Sequence, residues 1–425
     1  MILTIVFVFV LFSVTGMPIA FALGLAGLAG IIVEGFPMIQ LAGKVVHSVD
    51  NFPLMSIPLF MLAGQLMMRG GIMDRLIDFA NAFVGRVRGG LGHVTVITAM
   101  GLSSVSGTAV ADATALGGTL GPALSKAYGR PFSAALVASA SNLGPIIPPS
   151  AGMILYAFLA EDVSVGALFI SGILPGVFLG LATMALCTWF AYRRNFPISD
   201  TPFSFRNLAI QTVRTFPIFM MPILVIGGII GGVFTATEGA AIAVAYALVL
   251  GFFFTRKLKL SDIPPALLNA AIVTSIVGAL IAFASQVTYL FTAEMVGVAI
   301  AQWLQSLTTD PHIFVLLVMV LLLLVGIPIE ANASFIMLVP ILAPIAKEYG
   351  VDPTYFGLLF VFNITLGGIT PPVGAQLFVV SGIWRVSMNQ MLPDLMPFII
   401  LQYCVLFVCM LFPQIVLFLP TLVGY

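Results

Sequence analysis

Ser141-Asn142-Leu143-Gly144-Pro145-Ile146-Ile147-Pro148-Pro149-Ser150 lies in the middle of an apolar run long enough to cross a bilayer, yet it is built from residues that stop a helix. It has an echo in a second such run, Asn363-Ile364-Thr365-Leu366-Gly367-Gly368-Ile369-Thr370-Pro371-Pro372-Val373-Gly374. A proline cannot donate the amide that the carbonyl four residues earlier requires. Pro148 and Pro149 are therefore expected to strand the carbonyls of Gly144 and Pro145, and Pro371 and Pro372 those of Gly367 and Gly368. In hydrocarbon an unpaired backbone group costs several kcal/mol, so each break must be buried in protein or occupied by something that wants oxygen ligands. Asn142, Asn363, Thr365 and Thr370 add oxygens at the same places. A dehydrated cation is a natural occupant.

The surrounding composition is that of a polytopic membrane protein. Of 425 residues, 60% are hydrophobic and 8% charged, and the mean hydropathy is +1.17, far outside the range of soluble domains. Net charge is zero with no basic run, so nucleic-acid and polybasic lipid binding have no support. Cys187, Cys404 and Cys409 sit in apolar runs without metal-type spacing and read as packing residues. His47, His93 and His312 offer no pair at ligand spacing. The N-terminus lacks the positive region of a cleaved signal peptide and reads as a retained membrane helix. The polar stretches around Arg69 to Gly90 and Arg193 to Arg214 suit interfacial helices.

Around the first break the order is a span from Phe52 to Met68, an amphipathic arm, a short limb from Gly92, the tip Gly101-Leu102-Ser103-Ser104-Val105-Ser106-Gly107-Thr108, and a limb returning to Lys126 and Arg130. Neither limb reaches the roughly twenty residues of a span, so the unit is a re-entrant hairpin. Around the second break the same order recurs: a span from Ala266 to Leu290, an arm from Phe291 to Thr309, a limb, the tip Gly326-Ile327-Pro328-Ile329-Glu330-Ala331-Asn332-Ala333-Ser334, and a limb to Tyr349-Gly350. The first hairpin is flanked by Arg69, Arg75, Arg86, Arg88, Lys126 and Arg130; the second by Glu294, Asp310, Lys347, Glu348 and Asp352. The positive-inside rule places the first opening in the cytoplasm and the second outside. One unit thus appears twice in opposite orientations.

Ala127-Tyr128-Gly129-Arg130 leading into Ser139 to Ser150, Gly232-Val233-Phe234-Thr235-Ala236-Thr237-Glu238-Gly239-Ala240-Ala241, and the second Asn-to-Pro-Pro block together resemble the large membrane subunit of tripartite ATP-independent periplasmic (TRAP) transporters, the DctM or SiaM type. Ala236 stands where that family usually has proline. The resemblance implies an all-α, inverted-repeat, elevator-type transporter that takes up a carboxylate-bearing solute with sodium ions. It also implies a bacterial inner-membrane location, a small membrane (Q) subunit and a periplasmic substrate-binding (P) protein. No organic cofactor is expected. Sialic acid is the favoured solute, from the first tip region, and a C4-dicarboxylate the next.

The expected division is 1–91 scaffold and cytoplasmic arm, 92–162 first half of the transport domain, 163–311 scaffold and second arm, 312–385 second half of the transport domain, and 386–425 a C-terminal scaffold helix. Each tip is expected beside the break of its own repeat near the bilayer midplane. A first sodium site is assigned to Ser103, Ser106, Gly107, Asn142, Gly144 and Pro145, and a second to Gly326, Asn332, Thr365, Gly367 and Thr370. These ligands are neutral oxygens, which a monovalent cation tolerates. Thr108, Ala109, Ser334 and Asn363 are assigned to the substrate. Asp112 and Glu330 read as coupling groups, substrate gates, or partners for nearby amides and polar side chains. Glu238 is expected to shape its turn. Two other readings stand beside this one. A self-sufficient anion transporter or exchanger would need no binding protein. An intramembrane enzyme is disfavoured, because there is no His-Glu-x-x-His motif and no Ser with a His at matching depth.

Overall fold

The computed structural model describes residues 1–198, 203–371 and 374–425. Pro372 and Val373, from the second Pro-Pro block, lie outside the described residues, as do positions 199–202. In chain order the helices are α1 (Ile2–Val14), α2 (Ile19–Glu34), α3 (Met38–Val49), α4 (Ser56–Arg69), α5 (Ile72–Val84), α6 (Gly90–Ser106), α7 (Ala109–Tyr128), α8 (Arg130–Ser141), α9 (Ala151–Ala160) and α10 (Val165–Arg193). They continue as α11 (Phe205–Ile230), α12 (Ala236–Val249), α13 (Ile263–Ala293), α14 (Val296–Leu307), α15 (Pro311–Gly326), α16 (Ala331–Glu348), α17 (Pro353–Gly367), α18 (Ala375–Trp384), α19 (Met388–Leu411) and α20 (Pro413–Val423). Among the described residues seven helical segments are long and apolar enough to cross a membrane.

The runs α4–α10 and α13–α19 are the same series: span, arm, hairpin (α6/α7 and α15/α16), broken helix (α8/α9 and α17/α18), span. Their packing is exchange-symmetric. Helix α2 lies on α13 as α12 lies on α4, and the limb α7 packs on α18 as α16 packs on α9. Each hairpin therefore grips the far half of the other repeat's broken helix. Local chemistry starts many of these helices at polar caps. Ser150, Ser164, Asp310 and Asp352 each accept an amide from the first turn of α9, α10, α15 and α17. Thr235 and Glu238 form a reciprocal capping box on α12, as the reading of Glu238 expected.

Hydrogen bonds sort the helix ends onto two faces. On the arginine-rich face Arg75 of α5 donates to the carbonyls of Arg214 (3.0 Å) and Phe254 (3.2 Å), and Lys257 pairs with Asp74 at 2.5 Å. On the opposite face Lys347 pairs with Asp162 at 2.6 Å, and the Tyr349 hydroxyl donates to the Thr308 carbonyl at 3.0 Å. This is the alternation the flanking charges imply.

Two local expectations are corrected, and one further element is found. No interfacial helix separates Arg193 from Arg214 among the described residues; α11 begins at Phe205 and runs unbroken into the bundle. The C-terminal region is two helices: α19 ends at Leu411 because Pro413 cannot donate into it, and the same proline opens α20. Between the second and third apolar segments the chain forms the amphipathic helix α3, whose twelve residues are too short and too polar to register as a span.

Candidate functional site

Both tips rest on the breaks of their own repeats. Gly107 ends α6 with φ +62, and a β-carbon on it would stand 2.8 Å from the Pro149 carbonyl oxygen and 3.2 Å from the Ala151 amide nitrogen. On the near lip of the same break, a β-carbon on Gly144 would stand 2.8 Å from Asp112 Oδ2 and 2.9 Å from the Thr108 carbonyl carbon. In the second repeat the backbones of Gly326 and Gly367 touch, leaving no room for a side chain on Gly367. Gly107→Ala combines a left-handed backbone with a backbone clash and is expected to destabilise the fold by about 3 kcal/mol. Thermal unfolding of the purified chain should show a drop of several degrees; an unchanged melt would refute the contact.

At the first site Ser103 Oγ lies 2.7 Å from the Ala99 carbonyl and 3.1 Å from Asp112 Oδ2, and Ser106 Oγ donates to Asp112 Oδ1. Asp112 is 0% exposed. Among the described residues no Lys, Arg or His pairs with it. The site thus contains a carboxylate, where the sequence suggested neutral oxygens only. The residue lies one turn into α7, and the tip folds its hydroxyls back onto it. No backbone amide among the described residues donates to the carbonyls of Gly144 or Pro145, as the prolines imply. Asn142, 0% exposed, donates through Nδ2 to Gln402 Oε1 at 2.8 Å, and its Oδ1 has no partner.

The second site differs in its backbone. The Thr370 amide donates to Gly367 O at 3.0 Å and the Gln376 amide to Gly368 O at 3.1 Å. Neither carbonyl is stranded, because the chain turns back after the break and lays the first turn of α18 against it. Thr365 and Thr370 donate their hydroxyls to the carbonyls of Val361 and Leu366, and the Tyr403 hydroxyl, 3.3 Å away, donates to Thr370 Oγ1. Asn332 is tied to Glu330, which caps α16 by accepting from the amides of Asn332 (3.0 Å) and Ala333 (3.3 Å).

Two substrate assignments are corrected. Ser334 is buried and bonds back to the Glu330 carbonyl, because a side chain one turn into α16 faces its own helix packing. Asn363, 1% exposed, donates to the Met319 carbonyl at 2.7 Å and keeps Oδ1 unpartnered. It is the counterpart of Asn142 rather than a cavity residue.

The cavity itself is about 770 Å³. Both tips and both breaks line it (Ser106, Thr108, Ala109, Pro145, Glu330, Thr365), and α4 and α13 close it with Met61, Gln65 and Asn269. The first turns of α7, α9, α16 and α18 all border it. Glu330 is the charged side chain among the lining residues, and no Lys, Arg or His is among them. Positive character comes instead from the N-termini of α9 and α18, since Glu330 caps α16 and Asp112 lies in the first turn of α7.

Residues 5–415 match the model of the tripartite ATP-independent periplasmic transporter DctM component. The chain belongs to the DctM family. It is 38% identical to the isethionate TRAP transporter permease DctMQ of Oleidesulfovibrio alaskensis over 96% of this chain, and spans 65% of that protein's length. It is 35% identical to the C4-dicarboxylate TRAP transporter large permease DctM of Pseudomonas aeruginosa, covering 95% of this chain and 94% of the relative. Identity to the sialic acid TRAP transporter large permease SiaM of Vibrio cholerae is 32%, covering 96% of each. The crystal structure of the Alcanivorax borkumensis YdaH transporter shares the fold, with a TM-score of 0.63 at 16% identity over 88% of both chains. This DctM-family chain holds polar residues that the motif reading passed over. Gln65, Asn269, Gln376 and Gln402 are amides set among apolar neighbours inside helices, which is the signal that could have found them. Gln376 crosses from α18 to Ser141 Oγ (2.5 Å) and the Ala138 carbonyl (3.3 Å), tying the second broken helix to the first.

Proposed function

We propose that the chain is the large membrane subunit of a tripartite transporter of the cytoplasmic membrane, taking up a carboxylate-bearing solute with sodium ions. A periplasmic binding protein delivers the solute, and a small membrane subunit completes the assembly. The observation that carries this reading is the pair of buried, unpartnered amide oxygens, Asn142 Oδ1 and Asn363 Oδ1, at equivalent places in two inverted breaks. Buried acceptors are rarely left unpaired, and a cation would satisfy each of them. At the first break Asp112 adds a carboxylate that needs a positive partner. One carboxylate among neutral oxygens suits a monovalent ion better than a divalent one. The named solutes of the three relatives are all anions, and the N-termini bordering the cavity favour one. Sialic acid remains the first candidate and a C4-dicarboxylate the second.

For translocation we favour an elevator, in which hairpins and broken helices slide past α2, α4, α12 and α13. Helices α10 and α19 travel with them in this reading, since α19 packs on α8 and α17, and α10 on α6 and α17. That redraws the boundaries at 163 and 386. The test is uptake of radiolabelled sialic acid into proteoliposomes holding the chain with its small subunit. Uptake is expected only with both an inward sodium gradient and a binding protein. Uptake without the binding protein would make the chain a self-sufficient carrier, and indifference to sodium would remove both cation sites.

A further inference from the structure

We infer that Gln402, in the middle of α19, is a positioning residue that decides which atom of Asn142 faces the first cation site; this rests on the sodium reading above. An amide side chain has one accepting and one donating end, so its orientation is set by whichever neighbour cannot change role. Here that neighbour is the Ser139 backbone carbonyl, which only accepts. Gln402 Nε2 donates to it at 2.9 Å and also lies 2.6 Å from Ser139 Oγ. The hydroxyl could serve either end of the amide; the carbonyl cannot. Gln402 must therefore present Oε1 at its other side, where Asn142 Nδ2 donates to it at 2.8 Å. With its Nδ2 committed, Asn142 turns Oδ1 the other way, buried and without a partner. Reversing either amide would set two acceptors face to face, with no water to relieve them, since Gln402 and Asn142 are both 0% exposed.

The second repeat reaches the same result directly. The Met319 carbonyl takes Asn363 Nδ2, and Asn363 Oδ1 is left free. Two unrelated sets of partners thus take the Nδ2 of two equivalent asparagines and leave each Oδ1 without a donor. Gln402 also joins the repeats, because it stands on α19 of the second and holds a ligand of the first. The orientation of that ligand survives transport only if α19 moves with α8.

The test is a sodium titration of the full chain in detergent, read as the rise in unfolding temperature, with choline holding ionic strength constant. Gln402→Met keeps the volume but removes both ends of the relay. It is expected to raise the sodium concentration for half-maximal stabilisation about tenfold, the scale of one lost hydrogen bond. In an Asn142→Ala background the same substitution should add nothing, while in an Asn363→Ala background it should add in full. Ser139→Ala keeps the carbonyl and should leave the titration at its wild-type midpoint, which tests the anchor even if Gln402→Met does not fold. A wild-type midpoint for Gln402→Met, additivity with Asn142→Ala, or a tenfold loss in Ser139→Ala would each overturn the assignment. A wild-type chain that ignores sodium would remove the cation reading and this inference together. A responsive wild type with an unmoved Gln402→Met would remove this inference alone.

Discussion

Asp112→Asn should raise the sodium concentration for half-maximal uptake by about a hundredfold or more while leaving the chain folded. The carboxylate is fully buried, takes hydroxyls from Ser103 and Ser106, and has no basic partner among the described residues. Removing one member of a buried charge pair costs about 3–5 kcal/mol, and each 1.4 kcal/mol is about tenfold in affinity. Asparagine has the same shape, accepts one serine hydroxyl through its oxygen and donates its amide to the other serine's oxygen, so the tip should keep its fold while the site loses its negative charge. Sodium-dependent uptake in proteoliposomes measures the shift, and thermal unfolding without sodium checks the fold. A sodium midpoint equal to that of the wild type would mean that Asp112 carries a proton or only braces the tip.

Gly64→Leu should cut uptake at least tenfold and leave sodium-induced stabilisation in place. Gly64 lies on α4, which the elevator reading assigns to the fixed scaffold. A β-carbon there would stand 3.2 Å from the Val105 carbonyl oxygen and 3.3 Å from the Ser106 α-carbon, both on the first hairpin. Backbone cannot give way as a side-chain end can, and an overpacked contact costs about 1–3 kcal/mol. If the hairpin slides along α4, a leucine at this position obstructs the sliding surface; because Gly64 also borders the cavity beside Ser106, sodium response is measured alongside uptake to separate the two effects. Equal losses of sodium response and uptake would place the damage in the site. Normal uptake would mean that this surface does not move.

Much of the architecture was legible in the residues. The breaks and the repeated order of elements follow from proline chemistry and flanking charge. Limb length is the weaker guide: α7 has 20 residues and α16 has 18, as long as a membrane span. Errors arose where a local signal depended on distant partners. Pro371 still lies at a break, yet Gly367 O takes the Thr370 amide in a local turn, and Gly368 O takes the Gln376 amide because α18 folds back against the break. Its place in the motif puts Asn363 with the substrate, whereas the Met319 carbonyl takes its Nδ2 and makes it the second repeat's counterpart of Asn142. α3 and the start of α20 were missed because twelve amphipathic residues and one proline near the end of an apolar run carry weak signals.

By itself, the sequence determined where helices cannot continue, which segments are apolar enough for a membrane and how charge is distributed at their ends. Those properties are local: a missing amide, a run of apolar side chains and a charge at a loop act wherever the chain goes. Tertiary structure alone decided which oxygens remain without a donor. Asp112 becomes a site carboxylate only when the tip folds Ser103 and Ser106 onto it. Asn142 keeps Oδ1 without a donor because Gln402, on a helix from the other repeat and itself anchored on the Ser139 carbonyl, takes its Nδ2. A hydrogen bond has two ends, and in this chain the second end is often more than two hundred residues away.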